Sequence, residues 1–244
     1  MALLFPFPET ALVAHRGAHC CGSVENSLAA IEHAVELAVP GIELDVCNLG
    51  DGELVLSHDP YVSVAGAAVP LPALSVRDVA PLMAAGQLVL AQSALDLVRS
   101  SNAFLCLDWK GCGEEPRVVR LIDEFGLRER TIVSSAHSGA LARIKDERPG
   151  LLTGLSFPAS SGSDDHSPSA QCRLVGRGML AARADAAMLE LSLASPAMFD
   201  SLRREGSGVF VWTARDARTF AGLAHLAPDG IMSDAVEEHL SLAS

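Results

Sequence analysis

Short runs of Val, Ile and Leu alternate with longer Ala-, Leu- and Arg-rich stretches at helical spacing along nearly all of the 244-residue chain. Such alternation builds parallel sheets, because each crossover between parallel neighbours takes a dozen or more residues and is usually a helix. The strand-like runs are Ala11–Arg16, Gly41–Val46, Glu53–His58, Ala103–Trp109, Thr131–Ser135, Leu151–Leu155, Ala186–Leu191, Gly208–Thr213 and Gly230–Ser233. One connection departs from the pattern. Only six residues, centred on Gly50-Asp51-Gly52, separate Val46 from Glu53, and a link that short can only be a hairpin. Setting that excursion aside leaves eight βα units, the number that closes a (β/α)8 TIM barrel. The expected architecture is therefore α/β: one barrel domain over residues 1–244, with a β-hairpin and a small insertion, roughly 60–90, after the second strand. An open doubly wound sheet is the alternative, but neither GxGxxG nor GxxxxGK[ST] occurs.

Composition narrows the function. Hydrophobic residues make up 49% of the chain, enough for a sizeable core. Thirty acidic against 18 basic residues give a formal charge of −12, which argues against nucleic-acid partners and anionic membranes. No apolar run reaches the roughly 18–20 residues of a membrane span, so no stable membrane insertion is expected. Met1–Pro8 lacks the pattern of a signal peptide, and the six cysteines form no CxxC pair. Both features point to a cytoplasmic address with reduced thiols. The expected partner is a small molecule; a homo-oligomer is left open.

In a barrel the chemistry gathers at the C-terminal ends of the strands. Glu43 and Asp45 stand two apart on the second strand and so face the same side, away from Ile42, Leu44 and Val46. Two carboxylates inside a barrel are costly unless neutralised by arginines or by a cation. With Asp108 two residues before Lys110 on the next barrel strand, an oxygen-only donor set favours magnesium or calcium over zinc. Folding the hairpin about Asp51 pairs residues whose numbers sum to about 102, which brings His58 level with both acids. His15 and Arg16 end the first strand. Two imidazoles suit acid–base exchange near neutral pH, and a metal with Arg16 and Lys110 suits developing charge on a phosphoryl oxygen. His19, Cys20, Cys21, Cys47 and Cys112 fall on the same face at spacings that fit no standard zinc cluster. The loop Ser156–Ser169 has the length and composition of a lid. His33, His166, His225 and His239 receive no role.

At these residues the chain resembles the glycerophosphodiester phosphodiesterase family. The matching text is His15-Arg16-Gly17, Glu25-Asn26-Ser27, Gly41–Val46 and Asp51–Asp59, with weaker matches at Leu107–Lys110, Val211-Trp212-Thr213 and Asp229–Asp234. The resemblance implies a TIM barrel in which His15 and His58 are the acid–base pair. It implies Glu43, Asp45 and Asp108 as ligands of a divalent cation, Mg2+ or Ca2+, and Arg16 and Lys110 as phosphate contacts. Trp212 would wall the substrate pocket. The implied reaction is attack of a neighbouring substrate hydroxyl on phosphorus, expelling an alcohol such as choline or ethanolamine and giving a cyclic phosphate that water then opens to glycerol 3-phosphate. Asp108 stands where the family usually carries Glu, Ser27 where it carries Thr, and no proline follows Asp234. These departures leave the alcohol open and admit lysophospholipids or other phosphodiesters. The competing readings are a glycoside hydrolase, weakened by an aromatic content of only 5%, and a non-catalytic binding barrel.

Overall fold

The computed structural model describes residues 9–19, 23–159 and 167–243. Strands β1 (Ala11–Ala14) and β2 (Gly41–Asn48) are followed by an excursion, β3 (Leu54–Leu56), β4 (Tyr61–Val64), β5 (Ala67–Pro70) and β6 (Val89–Leu90). The chain then returns to β7 (Phe104–Trp109), β8 (Thr131–Ser135), β9 (Leu152–Phe157), β10 (Ala186–Glu190), β11 (Gly208–Ala214) and β12 (Gly230–Ser233). The helices are α1 (Leu28–Glu36), α2 (Val76–Ala84), α3 (Ala91–Arg99), α4 (Glu115–Glu124), α5 (Ser138–Glu147), α6 (Pro168–Ala182), α7 (Pro196–Arg204), α8 (Ala217–Ala224) and α9 (Val236–Ala243). Several begin where the sequence supplies a capping oxygen. Ser27, Ser75, Ser167, Ser195 and Asp216 each accept a backbone N–H of the first turn that would otherwise lack a partner.

Parallel pairing runs β1–β2–β7–β8–β9–β10–β11–β12 and closes on itself, since Val13 is in register with both Gly41 and Met232. The expected eight-stranded barrel is thus present. Its β2 is long for a reason. Gly41 and Ile42 pair with β1, whereas Val46, Cys47 and Asn48 project past the rim and pair antiparallel with Leu56, Val55 and Leu54 of β3. These are pairs that sum to 102, the register read from the hairpin. The expected strand Glu53–His58 shortens to Leu54–Leu56, although the Ser57 amide still donates to the Asp45 carbonyl at 3.1 Å. The expected Ala11–Arg16 likewise ends at Ala14, because His15 to Gly17 form a turn. The β4–β5 hairpin lies within the insertion and was not expected. Its residues are exposed or half-buried, so no buried face imposed a period of two on the sequence. Of the expected lid, Ser156 and Phe157 belong to β9 and Ser167 caps α6, while residues 160–166 lie outside the described ones.

Two cores flank the barrel wall. Outward-facing Ile42, Leu44, Leu105 and Leu107 pack against the helices, and a smaller cluster of Val13, Phe104, Cys106, Ile132, Met188, Phe210 and Met232 fills the lumen. Glycine makes room for the bulkier lumen side chains. A Cβ at Gly230 would lie 2.5 Å from the Phe210 ring, and one at Gly154 would lie 2.9 Å from the Met188 sulfur. A ring cannot yield as a thioether can. Gly230→Ala is expected to destabilise the protein by about 1–3 kcal/mol in urea unfolding, and Gly154→Ala by less. Equal losses would show that the lumen is looser than these distances imply.

Candidate active site

The strand register assembles the site. Alternation on β2 turns Glu43 and Asp45 into the lumen, where both are buried, and pairing sets Asp45 beside Asp108 and Asp108 beside Ser134. Ligand oxygens of Glu43, Asp45 and Asp108 all lie within 4.8 Å of one another. Around them sits a shell of donors. The Lys110 ammonium bonds Asp108 and lies 3.0 Å from Asp45 Oδ1, and Ser134 Oγ donates to Asp108 at 2.8 Å. Asn26 clamps residue 45 at two points: its Nδ2 donates to Asp45 Oδ2 at 2.9 Å, and its Oδ1 accepts the Asp45 amide at 3.1 Å.

The loop after β1 brings the remaining groups. Arg16 has φ 58 and Gly17 φ 82, both in the left-handed region. A Cβ on Gly17 would lie 2.8 Å from the Ala30 carbonyl carbon, so His-Arg-Gly reads here as a turn that only glycine completes. The turn aims the Arg16 amide at Glu43 Oε2, 2.9 Å away, and sets the Arg16 Nε 3.1 Å from Asp45 Oδ2. An arginine held at positive φ is the kind of backbone cost that persists when its surroundings over-determine it. Here they do: the Asn26 amide donates to the Arg16 carbonyl, and the guanidinium grips both oxygens of Glu25 at 2.8 Å.

Barrel closure supplies one partner the sequence reading overlooked. His15 Nδ1 lies 2.6 Å from Asp234 Oδ1, which follows β12, and its Nε2 then faces inward, 3.9 Å from Glu43 Oε2. In the sequence Asp234 stands one residue beyond the strand Gly230–Ser233, with no role assigned to it. The signal that finds it is closure itself, because the first and last strands of a barrel are neighbours. Asn26 lies in the matching Glu25-Asn26-Ser27, but its role depends on a loop conformation that the match does not supply. His58 borders the same cavity, half-exposed, with Nδ1 3.0 Å from Asp59 Oδ1. Trp212 is also in the wall, its indole N–H donating to the Met188 carbonyl at 3.2 Å. The cavity, about 200 Å³, thus gathers His15, Arg16, Glu43, Asp45, His58, Asp108, Lys110 and Trp212. Cys47 and Cys112 instead line a neighbouring cavity, and Cys20 and Cys21 lie outside the described residues. His239 is wholly buried and stacks on Phe220.

The charges do not balance. Three carboxylates face two cations, and one of these, Arg16, is shared with Glu25. Burial, reinforced by the charges of Asp45 and Asp108, pushes the Glu43 carboxyl well above its ordinary range. Burial acts the same way on Asp45, but Lys110, Arg16 and the Asn26 hydrogen bond outweigh it and hold that carboxyl low. The Lys110 ammonium keeps its proton more firmly than usual despite burial, because Asp108 and Asp45 surround it. The surplus acid therefore falls on Glu43. Three converging hard oxygens with one unmatched charge form a donor set that a divalent cation fits.

The sequence profile of the "Glycerophosphoryl diester phosphodiesterase family" matches residues 15–110 and 107–238. A curated relative, "Glycerophosphodiester phosphodiesterase" of Caldanaerobacter subterraneus subsp. tengcongensis, is 26% identical over 251 residues, covering 96% of this chain and 98% of that protein. Among solved structures, a glycerophosphodiester phosphodiesterase from Thermotoga maritima has a TM-score of 0.77 at 22% identity, covering 97% of this chain and 99% of its own. An Oleispira antarctica phosphodiesterase in complex with the product sn-glycerol-3-phosphate has a TM-score of 0.74 at 19% identity, covering 97% and 98%. At these identities the structural likeness bears on the fold.

The contact between His15 and Asp234 has a consequence for acid stability. Burial alone would raise the Asp234 carboxyl, but the hydrogen bond and charge of His15, with His19 and Arg215, hold it at about 2. A carboxyl lowered on folding stabilises fully above its unfolded value, near 3.9, and that contribution is lost as pH falls through the folded value. Asp234→Asn is therefore expected to lower stability at neutral pH and to flatten the acid limb between about pH 4 and pH 2. An unchanged limb in a pH series of urea unfolding would contradict this pairing.

Proposed function

The chain belongs to the glycerophosphoryl diester phosphodiesterase family, whose members are phosphoric diester hydrolases, and we propose that it hydrolyses glycerophosphodiesters to glycerol 3-phosphate and an alcohol in a metal-dependent reaction. One observation carries this reading. Two imidazoles, two cations and three converging carboxylates border a single cavity at the C-terminal end of the barrel.

His15 and His58 form the proton-exchanging pair. Asp234 fixes His15 Nδ1, so that Nε2 is the nitrogen offered to substrate. One imidazole takes the proton of the attacking hydroxyl as its oxygen bonds to phosphorus. The other gives a proton to the alcohol oxygen as its bond to phosphorus breaks. With the roles reversed, water adds to the cyclic phosphate and leaves a phosphomonoester. Arg16 and Lys110 hold the non-bridging phosphate oxygens, and Trp212 walls the pocket. Glu43, Asp45 and Asp108 would hold Mg2+ or Ca2+, which when bound supplies positive charge against the developing charge on the phosphoryl oxygens. The same positive charge would keep Glu43 ionised.

His15→Ala and His58→Ala are each expected to lower kcat for phosphomonoester release by about 10²- to 10⁴-fold with both variants still folded, His58→Ala with its melting temperature little changed. Retained activity in either variant would remove that histidine from the chemistry. Chelation is expected to abolish turnover and lower the melting temperature. Mg2+ or Ca2+ at about 100 times its Kd should restore about 2.7 kcal/mol of stability, and Asp108→Asn should lose that gain. No effect of chelator on either readout would overturn the metal assignment.

A further inference from the structure

The reaction cavity is small. At about 200 Å³ it is about half the volume of the cavity beside it. A second cavity of about 420 Å³ lies directly against it, and Lys110 is part of both walls. This neighbour sits between the barrel rim and the excursion. Pro60, two residues after His58, forms its wall with Leu71, Pro72 and Cys47, and Gly111, Cys112, Gly139 and Ala140 complete the apolar lining. Among the described residues, the lining contains no carboxylate and no Trp, Tyr or Phe, the groups that recognise a quaternary ammonium. The charged groups it does contain, Lys110 and Arg143, are both positive.

We infer that this cavity takes the leaving alcohol, and that the chain prefers glycerophosphodiesters of uncharged, apolar alcohols over those with a cationic head group. The inference rests on the proposed hydrolysis and names the alcohol side of the same site. A groove on the other side of His58, lined by Glu25, Asp59 and Tyr61, offers a cationic alcohol more. That groove, at about 230 Å³, is smaller, and its acids are already engaged, Glu25 by Arg16 and Asp59 by His58.

The test compares kcat/KM of the full chain with Mg2+ or Ca2+ on the methyl, hexyl and choline esters of glycerol phosphate, read as glycerol 3-phosphate released. The hexyl ester is expected to exceed the choline ester by about tenfold or more. Two variants at exposed positions fill the cavity without entering the reaction site: Cys112→Trp, and Gly139→Leu, where an added Cβ meets only the Arg143 guanidinium at 3.5 Å. Each should cut the hexyl rate by about tenfold while leaving the methyl rate within about twofold. A choline ester cleaved as well as or better than the hexyl ester overturns the inference. So do variants that change all esters alike or none. Cleavage of the methyl ester in either case leaves the hydrolase reading standing, whereas no cleavage of any ester removes that reading and the inference with it.

Discussion

Everything at the mouth of this barrel is arranged around three carboxylates that the strand register forces together. Glu43 and Asp45 share a face of β2, and pairing with β7 puts Asp108 beside Asp45. Burying three negative charges so close is prohibitive unless each finds donors or positive charge. The surrounding sequence answers this need. Asn26 and Arg16 leave left-handed turns to meet Asp45 and Glu43, Lys110 bridges Asp45 and Asp108, and Ser134 donates to Asp108 as well. What remains is one acid more than the cations match, and burial beside Asp45 and Asp108 pushes the Glu43 carboxyl up at the point where the three oxygens converge.

That surplus links fold to function. A cavity edged by acids alone would repel a phosphodiester, as would the chain's net charge of −12. Lys110 and Arg16 offset part of that charge, and a divalent cation on the acids would reverse the field locally. The excursion after β2 then has two effects. It returns His58 to the cavity that His15 also borders, and it raises the wall of Pro60, Leu71 and Pro72 that lines the second cavity.

Much of this was legible in the sequence because the barrel transmits periodicity into space. Alternation put Glu43 and Asp45 on one face, and the six-residue link set the hairpin register that brings His58 to the cavity. The parts that were not legible depend on conformation rather than period. Asn26 acts through a loop with positive φ, a conformation that the matching Glu25-Asn26-Ser27 does not supply. Asp234 meets His15 across 219 positions of sequence, a contact that follows only once closure is assumed. The β4–β5 hairpin escaped notice because it buries neither face, so nothing obliged its residues to alternate.

The most direct test of the central claim is anomalous scattering from crystals of the protein grown with Mn2+, which takes the oxygen ligands of Mg2+ and Ca2+ sites. One strong peak is predicted within coordinating distance of Glu43, Asp45 and Asp108, with Lys110 beside it. A peak elsewhere, or none while the three carboxylates keep their present arrangement, would contradict the account.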